Sequence, residues 1–148
     1  MNLYNGSSLL QYLTFPARIR RWFIFNIMAK IMVVDDSPDL LLLISIIIKR
    51  EGHEPIALTS PVELMQKIDE YNPDLIIIDV NLGNFNGKEV CKNIKANPAS
   101  KNIPVLLTSA SAEALADFKD YHADDILEKP FELSIITNKI NGLLNMVE

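Results

Sequence analysis

Short apolar runs alternate with longer amphipathic stretches along most of this chain. The runs 31–34, 75–78 and 105–107 contain no polar side chain, which is typical of strands buried on both faces of a parallel sheet. The stretches between them have the apolar spacing of helices. The predicted elements are strand 31–34, helix 38–51, strand 54–58, helix 61–71, strand 75–79, helix 87–96, strand 103–108, helix 112–121, strand 125–128 and helix 132–146.

The strict alternation of strands and helices, joined by short links, predicts the α/β fold class. We expect a doubly wound five-stranded parallel sheet with flanking helices on both faces. In such sheets, ligands bind outside the carboxyl ends of the strands. Functional side chains are therefore expected directly after each strand.

Two of the predicted helices carry recognisable start or stop signals. Pro38 occupies a favoured first helical position after Ser37, and Gly52 follows the last turn of the same helix. Ser60 and Glu63 have the spacing of a capping box, which predicts reciprocal side-chain bonds at the start of helix 61–71.

The first predicted helix is unusually apolar, because residues 40–48 include a single polar residue, Ser45. Helical spacing predicts a core face that is made of positions 40, 43, 44, 47 and 48. Leu41, Leu42 and Ile46 then point away from the core, and an exposed apolar stripe is typical of an interface. The alternatives are that the aromatic N-terminal segment covers this stripe, or that the helix is a wider core element.

Residues 1–28 differ in composition from the rest, and we predict an N-terminal extension there and one domain over residues 29–148. The extension contains three arginines, no acidic residue and the aromatic run Trp22-Phe23-Ile24-Phe25. Its apolar stretch is far shorter than the roughly 20 residues that span a bilayer. Contact of residues 18–27 with an anionic membrane surface is one alternative. We favour an ill-ordered extension, or a start of translation at Met28.

The charge distribution argues against a nucleic-acid partner. The chain has 148 residues and a net charge of −5, and Arg18, Arg20 and Arg21 are its only charged residues before Lys30. From Lys30 onward, 11 basic residues stand against 19 acidic ones, a balance of −8. Such a body lacks a basic footprint for phosphates. The single cysteine, Cys91, excludes an internal disulfide and suits a reducing compartment, so we predict a cytoplasmic protein.

Chemically active side chains follow four of the predicted strands. Asp35 and Asp36 follow the first strand, Asp79 the third, Ser109 the fourth and Lys129 the fifth. Each residue alone is more typical of a helix cap, a turn or a loop than of a reactive site. Together they place three carboxylates, a hydroxyl and an ammonium at one sheet edge. Crowded carboxylates repel one another unless a cation lies among them, and Mg²⁺ prefers such oxygen ligands. The set predicts phosphoryl transfer to a carboxylate.

Four motifs that surround these residues occur together in one chain. They are Val33-Val34-Asp35-Asp36-Ser37-Pro38, Asp79 with Gly87 eight residues later, Pro104 with Ser109, and Lys129-Pro130-Phe131. Over residues 29–147 the chain thereby resembles the receiver domain of two-component response regulators. The resemblance implies a flavodoxin-like, receiver-type sheet.

The resemblance also implies a role for each residue of the site. Asp79 would accept a phosphoryl group from a phosphohistidine. Asp36, Asp79 and the backbone carbonyl of Asn81 would bind Mg²⁺, and Asp35 would act on the ion through water. The remaining implied roles are a hydrogen bond from Ser109 to a phosphoryl oxygen, an ion pair of Lys129 with the phosphate, and a cis peptide bond before Pro130.

Several positions depart from the usual pattern of this family. Ile126 stands three residues before the lysine, where an aromatic residue is usual, so we expect an altered switch. His122 replaces a common glycine, and histidine tolerates a left-handed backbone better than most residues. Gly83 and Asn84 stand where Pro-Gly is frequent, which predicts a looser loop after Asp79.

The implied function is a phosphorylation-dependent signalling switch that is not an enzyme beyond its own phosphorylation and dephosphorylation. Its implied partners are a sensor histidine kinase or a histidine phosphotransfer protein and an unidentified downstream protein. Because the sequence ends just after the last helix, we expect no output domain. Three alternatives remain: an intermediate phosphoryl carrier in a phosphorelay, an Mg²⁺-dependent phosphohydrolase that forms an aspartyl-phosphate, and a phosphorylation-independent interaction module.

Overall fold

The computed structural model describes residues 28–145, so the predicted extension, with its membrane alternative for residues 18–27, lies outside them apart from Met28. None of the helices within this range is long and apolar enough to cross a membrane. The strands are β1 Lys30–Val34, β2 Glu54–Leu58, β3 Leu75–Asp79, β4 Asn81–Leu82, β5 Phe85–Asn86, β6 Val105–Ser109 and β7 Asp125–Glu128. The helices are α1 Pro38–Arg50, α2 Leu64–Tyr71, α3 Gly87–Ala96, α4 Ala112–Leu115 and α5 Leu133–Leu144, with a 3-10 helix at Phe118–Tyr121.

The five longer strands form one sheet in the order β2-β1-β3-β6-β7, and all neighbouring pairs are parallel. Successive side chains of a strand point to opposite faces. Ile31 and Val33 accordingly pack with buried residues of α1 and α5, whereas Met32 and Val34 pack with those of α2, α3 and α4. The core therefore lies in two layers, one on each side of the sheet. This confirms the predicted fold class.

Helix α1 begins where its sequence signals predict, but its core face is rotated from the predicted one. The Leu40 amide donates to the Ser37 hydroxyl at 3.4 Å and fixes the first turn. Leu41 is buried at 5% exposure, whereas Leu43 is 49% exposed, so the prediction was wrong at these two positions. In a helix that is apolar all round, no polar residue marks the solvent face, so tertiary packing decides the phase.

The capping box predicted at Ser60 and Glu63 does not form. The Ser60 hydroxyl accepts instead from the amide of Val62 at 3.3 Å, and Glu63 makes no capping bond to the helix. A serine can satisfy an amide two residues ahead in a turn, which competes with the helical cap. As a result α2 begins at Leu64, three residues later than predicted.

The helix predicted at residues 112–121 is also wrong in length. Helix α4 ends at Leu115 and is followed by the 3-10 helix. The amide of Ala116 bonds to the carbonyl of Glu113 at 3.2 Å, an i to i−3 bond that tightens the last turn. The chain then closes through His122, whose φ of 61° is left-handed, as the sequence predicted for this position.

Candidate functional site

Three carboxylates meet at the carboxyl edge of the sheet. Ligand oxygens from Asp35, Asp36 and Asp79 lie within 4.8 Å of one another. Asp35 follows β1 and Asp79 ends β3, and these strands are neighbours in the sheet. Asp35 and Asp79 are 2% and 8% exposed, whereas Asp36 is open to solvent. The sequence prediction thus brings together the three residues that the structure places side by side.

Lys129 connects the two buried carboxylates. Its Nζ atom lies 2.8 Å from Oδ2 of Asp35 and 3.2 Å from Oδ2 of Asp79. The lysine directly follows β7, and its amide donates to the carbonyl of Ser109 at 2.8 Å. The Lys129–Pro130 peptide bond is cis, as the family resemblance implies. The ammonium of Lys129 therefore bridges the Asp35 and Asp79 carboxylates.

The first two aspartates have different surroundings. Asp35 uses both carboxylate oxygens, because Oδ1 accepts from the amide of Ser37 at 2.9 Å and Oδ2 accepts from Lys129 at 2.8 Å. Within residues 28–145 the Asp36 side chain makes no hydrogen bond or ion pair, and it faces solvent at the edge of the cluster. Asp36 is the carboxylate that can turn to an incoming cation without breaking an existing bond.

The environment of Asp79 favours a protonated carboxyl more than water does. Burial raises the pKa of Asp79 above its ordinary value, and the nearby charge of Asp35 acts in the same direction with a smaller effect. Lys129 opposes the rise through its charge and its hydrogen bond. The amide of Asn81 also donates to Oδ1 of Asp79, at 3.3 Å. A bound cation next to this carboxylate would stabilise its charged form.

Gly87 lies against the backbone of Asp79. Its amide donates to the carbonyl of Val80 at 2.8 Å. A Cβ atom at Gly87 would overlap the backbone carbonyl of Asp79 and contact Val80. Only glycine allows this approach, which explains in physical terms why a glycine stands eight residues after Asp79.

The chain between Asp79 and Gly87 forms a small antiparallel hairpin, with β4 paired to β5. Gly83 lies at its turn with a left-handed φ of 62°. The sequence pattern predicted a looser loop here and did not predict this hairpin. The signal was the Gly83-Asn84 pair, since glycine at a two-residue turn is typical of hairpins. The hairpin leaves Phe85 45% exposed.

Ser109 is fully buried at the end of β6. Its hydroxyl oxygen accepts from the amide of Ser111 at 3.1 Å, which leaves the hydroxyl proton available for another acceptor. The Ser111 hydroxyl in turn accepts from the amide of Ala114 at 3.2 Å and caps α4. Two serines thus connect the sheet edge to the first turn of α4.

The donor set fits a hard divalent cation. Carboxylate oxygens that lie close together, one of them exposed, are the ligands that Mg²⁺ prefers, with the remaining positions left for water or phosphate. Lys129 and Ser109 supply an ammonium and a hydroxyl, which suit the oxygens of a tetrahedral anion. The edge combines the parts needed for phosphoryl transfer to a carboxylate.

Comparison with known families gives one match over most of the described chain. The family model of the response regulator receiver domain matches residues 31–141. Among curated proteins, the alkaline phosphatase synthesis transcriptional regulatory protein PhoP of Bacillus subtilis is 30% identical over 121 residues, which cover 80% of this chain and 50% of PhoP. The DNA-binding response regulator MtrA of Mycolicibacterium smegmatis is 26% identical over 121 residues, which cover 80% of this chain and 52% of MtrA. The chain spans about half the length of these relatives.

Solved structures give the same picture. A putative response regulator from Chloroflexus aurantiacus superposes with a TM-score of 0.75 at 26% identity, covering 80% of this chain and 99% of that one. The response regulator TrrA from Thermotoga maritima, in complex with Mg²⁺ and BeF, gives a TM-score of 0.72 at 28% identity and covers 78% and 99%. In each comparison the matched region covers nearly the whole of the solved chain, so the similarity extends over that entire chain.

Proposed function

This chain belongs to the response regulator receiver domain family, and we propose that Asp79 accepts a phosphoryl group from a phosphohistidine in an Mg²⁺-dependent reaction. Membership in this family makes phosphorylation-dependent signalling the function of the chain in general terms. The observation that carries the specific proposal is the position of Asp79, which lies beside the Lys129 ammonium and two further carboxylates at the ligand-binding edge of the sheet.

Asp79 is the nucleophile in this proposal. One of its carboxylate oxygens attacks the phosphorus of the phosphohistidine, the bond between phosphorus and the imidazole nitrogen breaks, and the imidazole leaves with the electron pair. Asp79 is suited to this role because its backbone is fixed by Gly87 while its carboxylate stays reachable at the sheet edge. Lys129 contacts this carboxylate directly and opposes the rise in its pKa, which favours the charged nucleophile.

Asp36, Asp79 and the backbone carbonyl of Asn81 would bind the ion, and Asp35 would hold one of its water ligands. When bound, Mg²⁺ neutralises charge on the phosphoryl oxygens and on the crowded carboxylates. The exposure of Asp36 and the engagement of both Asp35 oxygens support this division, because Asp36 is free to coordinate directly and Asp35 is not. The similar response regulator TrrA was solved in complex with Mg²⁺ and BeF.

Lys129 and Ser109 would hold the phosphoryl group after transfer. Lys129 would exchange its contact with Asp79 for one with a phosphoryl oxygen, while its 2.8 Å bond to Asp35 keeps the ammonium in place. The Ser109 hydroxyl would donate its free proton to a second phosphoryl oxygen. Because its oxygen accepts from Ser111, a movement of Ser109 would carry the following loop with it.

Incubation with Mg²⁺ and acetyl phosphate, followed by intact-mass measurement, tests the proposal. We expect a gain of one phosphoryl group that is lost without Mg²⁺ and absent in Asp79→Asn, whose amide cannot form the acyl phosphate. Full labelling of Asp79→Asn would show that the acceptor is wrong. Rapid turnover of phosphate esters would favour a phosphohydrolase, and an unchanged mass a phosphorylation-independent module.

Helix α1 offers the surface that the proposed phosphodonor protein would contact. Leu42, Leu43 and Ile46 are 62%, 49% and 55% exposed, and the helix begins two residues after Asp36. An exposed apolar patch next to the acceptor suits the helices of a histidine kinase or a phosphotransfer protein. We expect Ile46→Gln to slow transfer from a phosphohistidine protein and to leave labelling by acetyl phosphate unchanged, because the small donor needs no docking surface.

The downstream partner and the location of the protein remain predictions. MtrA, a relative named as DNA-binding, is about twice as long as the part that this chain matches, so the absence of a nucleic-acid partner is proposed only for the acidic body from Lys30 onward. A signal through protein contacts fits that charge. A cytoplasmic location fits the single, buried cysteine.

A further inference from the structure

One face of α3 holds the chain that follows α4. Lys88 forms an ion pair with Asp117, at 2.8 Å to Oδ1, and its ammonium lies 5.1 Å from the centre of the Tyr121 ring. One turn later, the Cys91 thiol donates to the backbone carbonyl of Tyr121 at 3.4 Å. A further turn on, Lys95 pairs with Asp124 at 2.7 Å.

These contacts have helical spacing, since positions 88, 91 and 95 lie on one side of α3. We call the side chains of Lys88, Cys91 and Lys95 the α3 clasp. The Lys88 side chain is only 13% exposed although its partner Asp117 is 42% exposed, so the lysine lies under the chain that it holds. Cys91 is fully buried, and this burial raises the pKa of its thiol to about 12, which keeps it a neutral donor.

The clasp is anchored close to the phosphorylation site. Lys88 directly follows Gly87, whose amide is bonded to the chain after Asp79 and whose Cα packs on the Asp79 carbonyl. The first turn of α3 therefore packs directly against the end of β3. The ion pair with Lys88 thus connects Asp117 to the first turn of α3, which lies against the end of β3.

The chain before Asp117 is held differently. From Ser109 to Ala114 it is connected by the two serine hydroxyls, each of which accepts an amide two or three residues ahead. Residues 110–113 and 116 are exposed. These bonds connect Ser109 to α4, whereas Asp117 and the residues after it are bonded to α3.

We propose that Lys88 is a positioning residue that confines the rearrangement caused by phosphorylation to residues 110–116, because its ion pair with Asp117 fixes the 3-10 helix to α3. This inference rests on the proposed phosphorylation of Asp79. The surface that changes would then be short, comprising the loop after Ser109 and the exposed side of α4. A downstream protein would recognise these few residues.

Amide hydrogen exchange of the free and the beryllofluoride-bound protein tests the inference. In the parent, we expect beryllofluoride to change exchange at residues 110–116 and to leave Asp120, His122 and Ala123 unchanged, since their amides bond within the held turn. In Lys88→Met, which keeps the apolar stem but loses the charge, the changes should extend to those three amides. The same three should exchange about two- to fivefold faster in free Lys88→Met, the range that one partly exposed ion pair supports.

Matched variants separate the clasp from a general loss of packing. Asp117→Asn removes the other partner at an exposed position and should reproduce Lys88→Met, whereas Lys88→Arg should restore the parent pattern. Lys92→Met changes an exposed lysine of the same helix and should have no effect. Identical exchange in the parent and Lys88→Met, or changes beyond residue 117 in the parent, would overturn the inference.

The two proposals fail in different ways. If acetyl phosphate adds no mass and beryllofluoride changes no amide, the acceptor assignment fails. The exchange of the free protein then still shows whether Lys88 holds the 3-10 helix. If labelling is normal but free Lys88→Met exchanges like the parent, only the clasp is wrong.

Discussion

The ammonium of Lys129 lies 2.8 Å from Oδ2 of Asp35, although 94 residues separate the two along the chain. Both side chains are largely removed from solvent, at 17% and 3% exposure. Asp35 directly follows β1 and Lys129 directly follows β7. Their contact therefore joins two separate strand ends at the edge of the sheet. The same ammonium lies 3.2 Å from Oδ2 of Asp79, so the proposed phosphorylation of Asp79 would take place beside this pair.

Lys129→Met should destabilise the protein and should do so mainly without Mg²⁺. The variant leaves the buried Asp35 carboxylate uncompensated, and removing one partner of a buried pair costs roughly 3–5 kcal/mol. A bound cation would restore part of the missing positive charge. Urea unfolding with and without Mg²⁺ measures both effects.

Lys139→Met is the matched control for that experiment. Its ion pair with Asp125 has the same 2.8 Å length but leaves the side chains 28% and 34% exposed. Exposed pairs contribute about 0–1 kcal/mol. An equal loss of stability in the two variants would contradict the larger stabilisation expected from the Lys129 contacts.

Asp36→Ala should weaken Mg²⁺ binding. A direct carboxylate ligand would be lost, and a tenfold rise of the binding midpoint corresponds to about 1.4 kcal/mol. The metal-free variant should be at least as stable as the parent, since one of three crowded like charges is gone. Thermal melting against Mg²⁺ concentration measures both. Asp39→Ala, at an exposed acid in the first turn of α1, is the control, and equal midpoints for the two variants would contradict a direct ligand.

Gly87→Ala should destabilise the fold and disturb the acceptor. The added methyl group would overlap the Asp79 carbonyl, and overpacking of this kind costs roughly 1–3 kcal/mol or more. Gly142→Ala is the matched control, because nothing lies within 4 Å of a Cβ there and the residue is in α5. It should stabilise by about 0.5–1 kcal/mol through helix propensity. Denaturant unfolding of both variants checks the opposite signs.

The sheet edge was predictable from the sequence because parallel strands place all their carboxyl ends together. Once the strands were located, Asp35, Asp79, Ser109 and Lys129 followed without any knowledge of packing. The strands before Asp35 and Asp79 also carry the strongest signal, since residues 31–34 and 75–78 are all apolar. Order along the chain thus predicted proximity in space.

The errors lie where tertiary contacts override local preference. Nothing in the sequence shows that Lys88 and Asp117 pair. This contact lies two residues after Leu115, where α4 ends, although a helix was predicted to continue to residue 121. The phase of α1 was misjudged because apolar residues occupy nearly every position. Only the packing of Leu41 into the core, with Leu43 left outside, distinguishes the two faces.

His53 should make stability pH-dependent on the acidic side of neutrality. Its Nδ1 accepts from the amide of Ala29 at 3.2 Å, a bond that only the neutral ring can accept. Burial lowers the pKa of His53 below the ordinary 6.5, although Glu51 and Asp74 act in the opposite direction. Between the lowered pKa of the folded state and the ordinary pKa of the unfolded chain, the unfolded chain binds the proton more readily than the folded protein does. Acidification therefore favours unfolding. The contribution is complete above about pH 6.5 and is lost as pH falls through the lowered pKa of the folded state.

Urea unfolding of the parent and His53→Gln between about pH 5 and pH 8 measures this contribution. The free energy of unfolding should fall more steeply with acidification in the parent, because the glutamine does not titrate. The difference between the two proteins should become constant at the alkaline end. Parallel curves over the whole range would show that the Ala29 contact does not couple to protonation.

Ile126 replaces the aromatic residue that is usual three positions before the lysine in this family. It lies in β7 opposite Leu107 of β6 and packs, partly buried, against the core layer under α2, α3 and α4. A β-branched side chain is stiff at its first torsion. It also has no polar tip that could bond at the surface in one of two orientations. We therefore expect the signal to pass through the backbone after Ser109 and through α4, with Ile126 in place.

Methyl NMR of Ile126 in the free and the beryllofluoride-bound protein tests this expectation. Large backbone shifts should be confined to the loop after Ser109 and to α4, while Ile126 keeps one rotamer. Because no ring fills the space behind Ser109, the coupling between phosphate and surface should stay below the ~5.5 kcal/mol that a nearly complete switch needs. Both conformations should then be populated in the bound protein. A change of the Ile126 rotamer comparable to an aromatic flip would contradict a backbone route, since the side chain would then be the moving part.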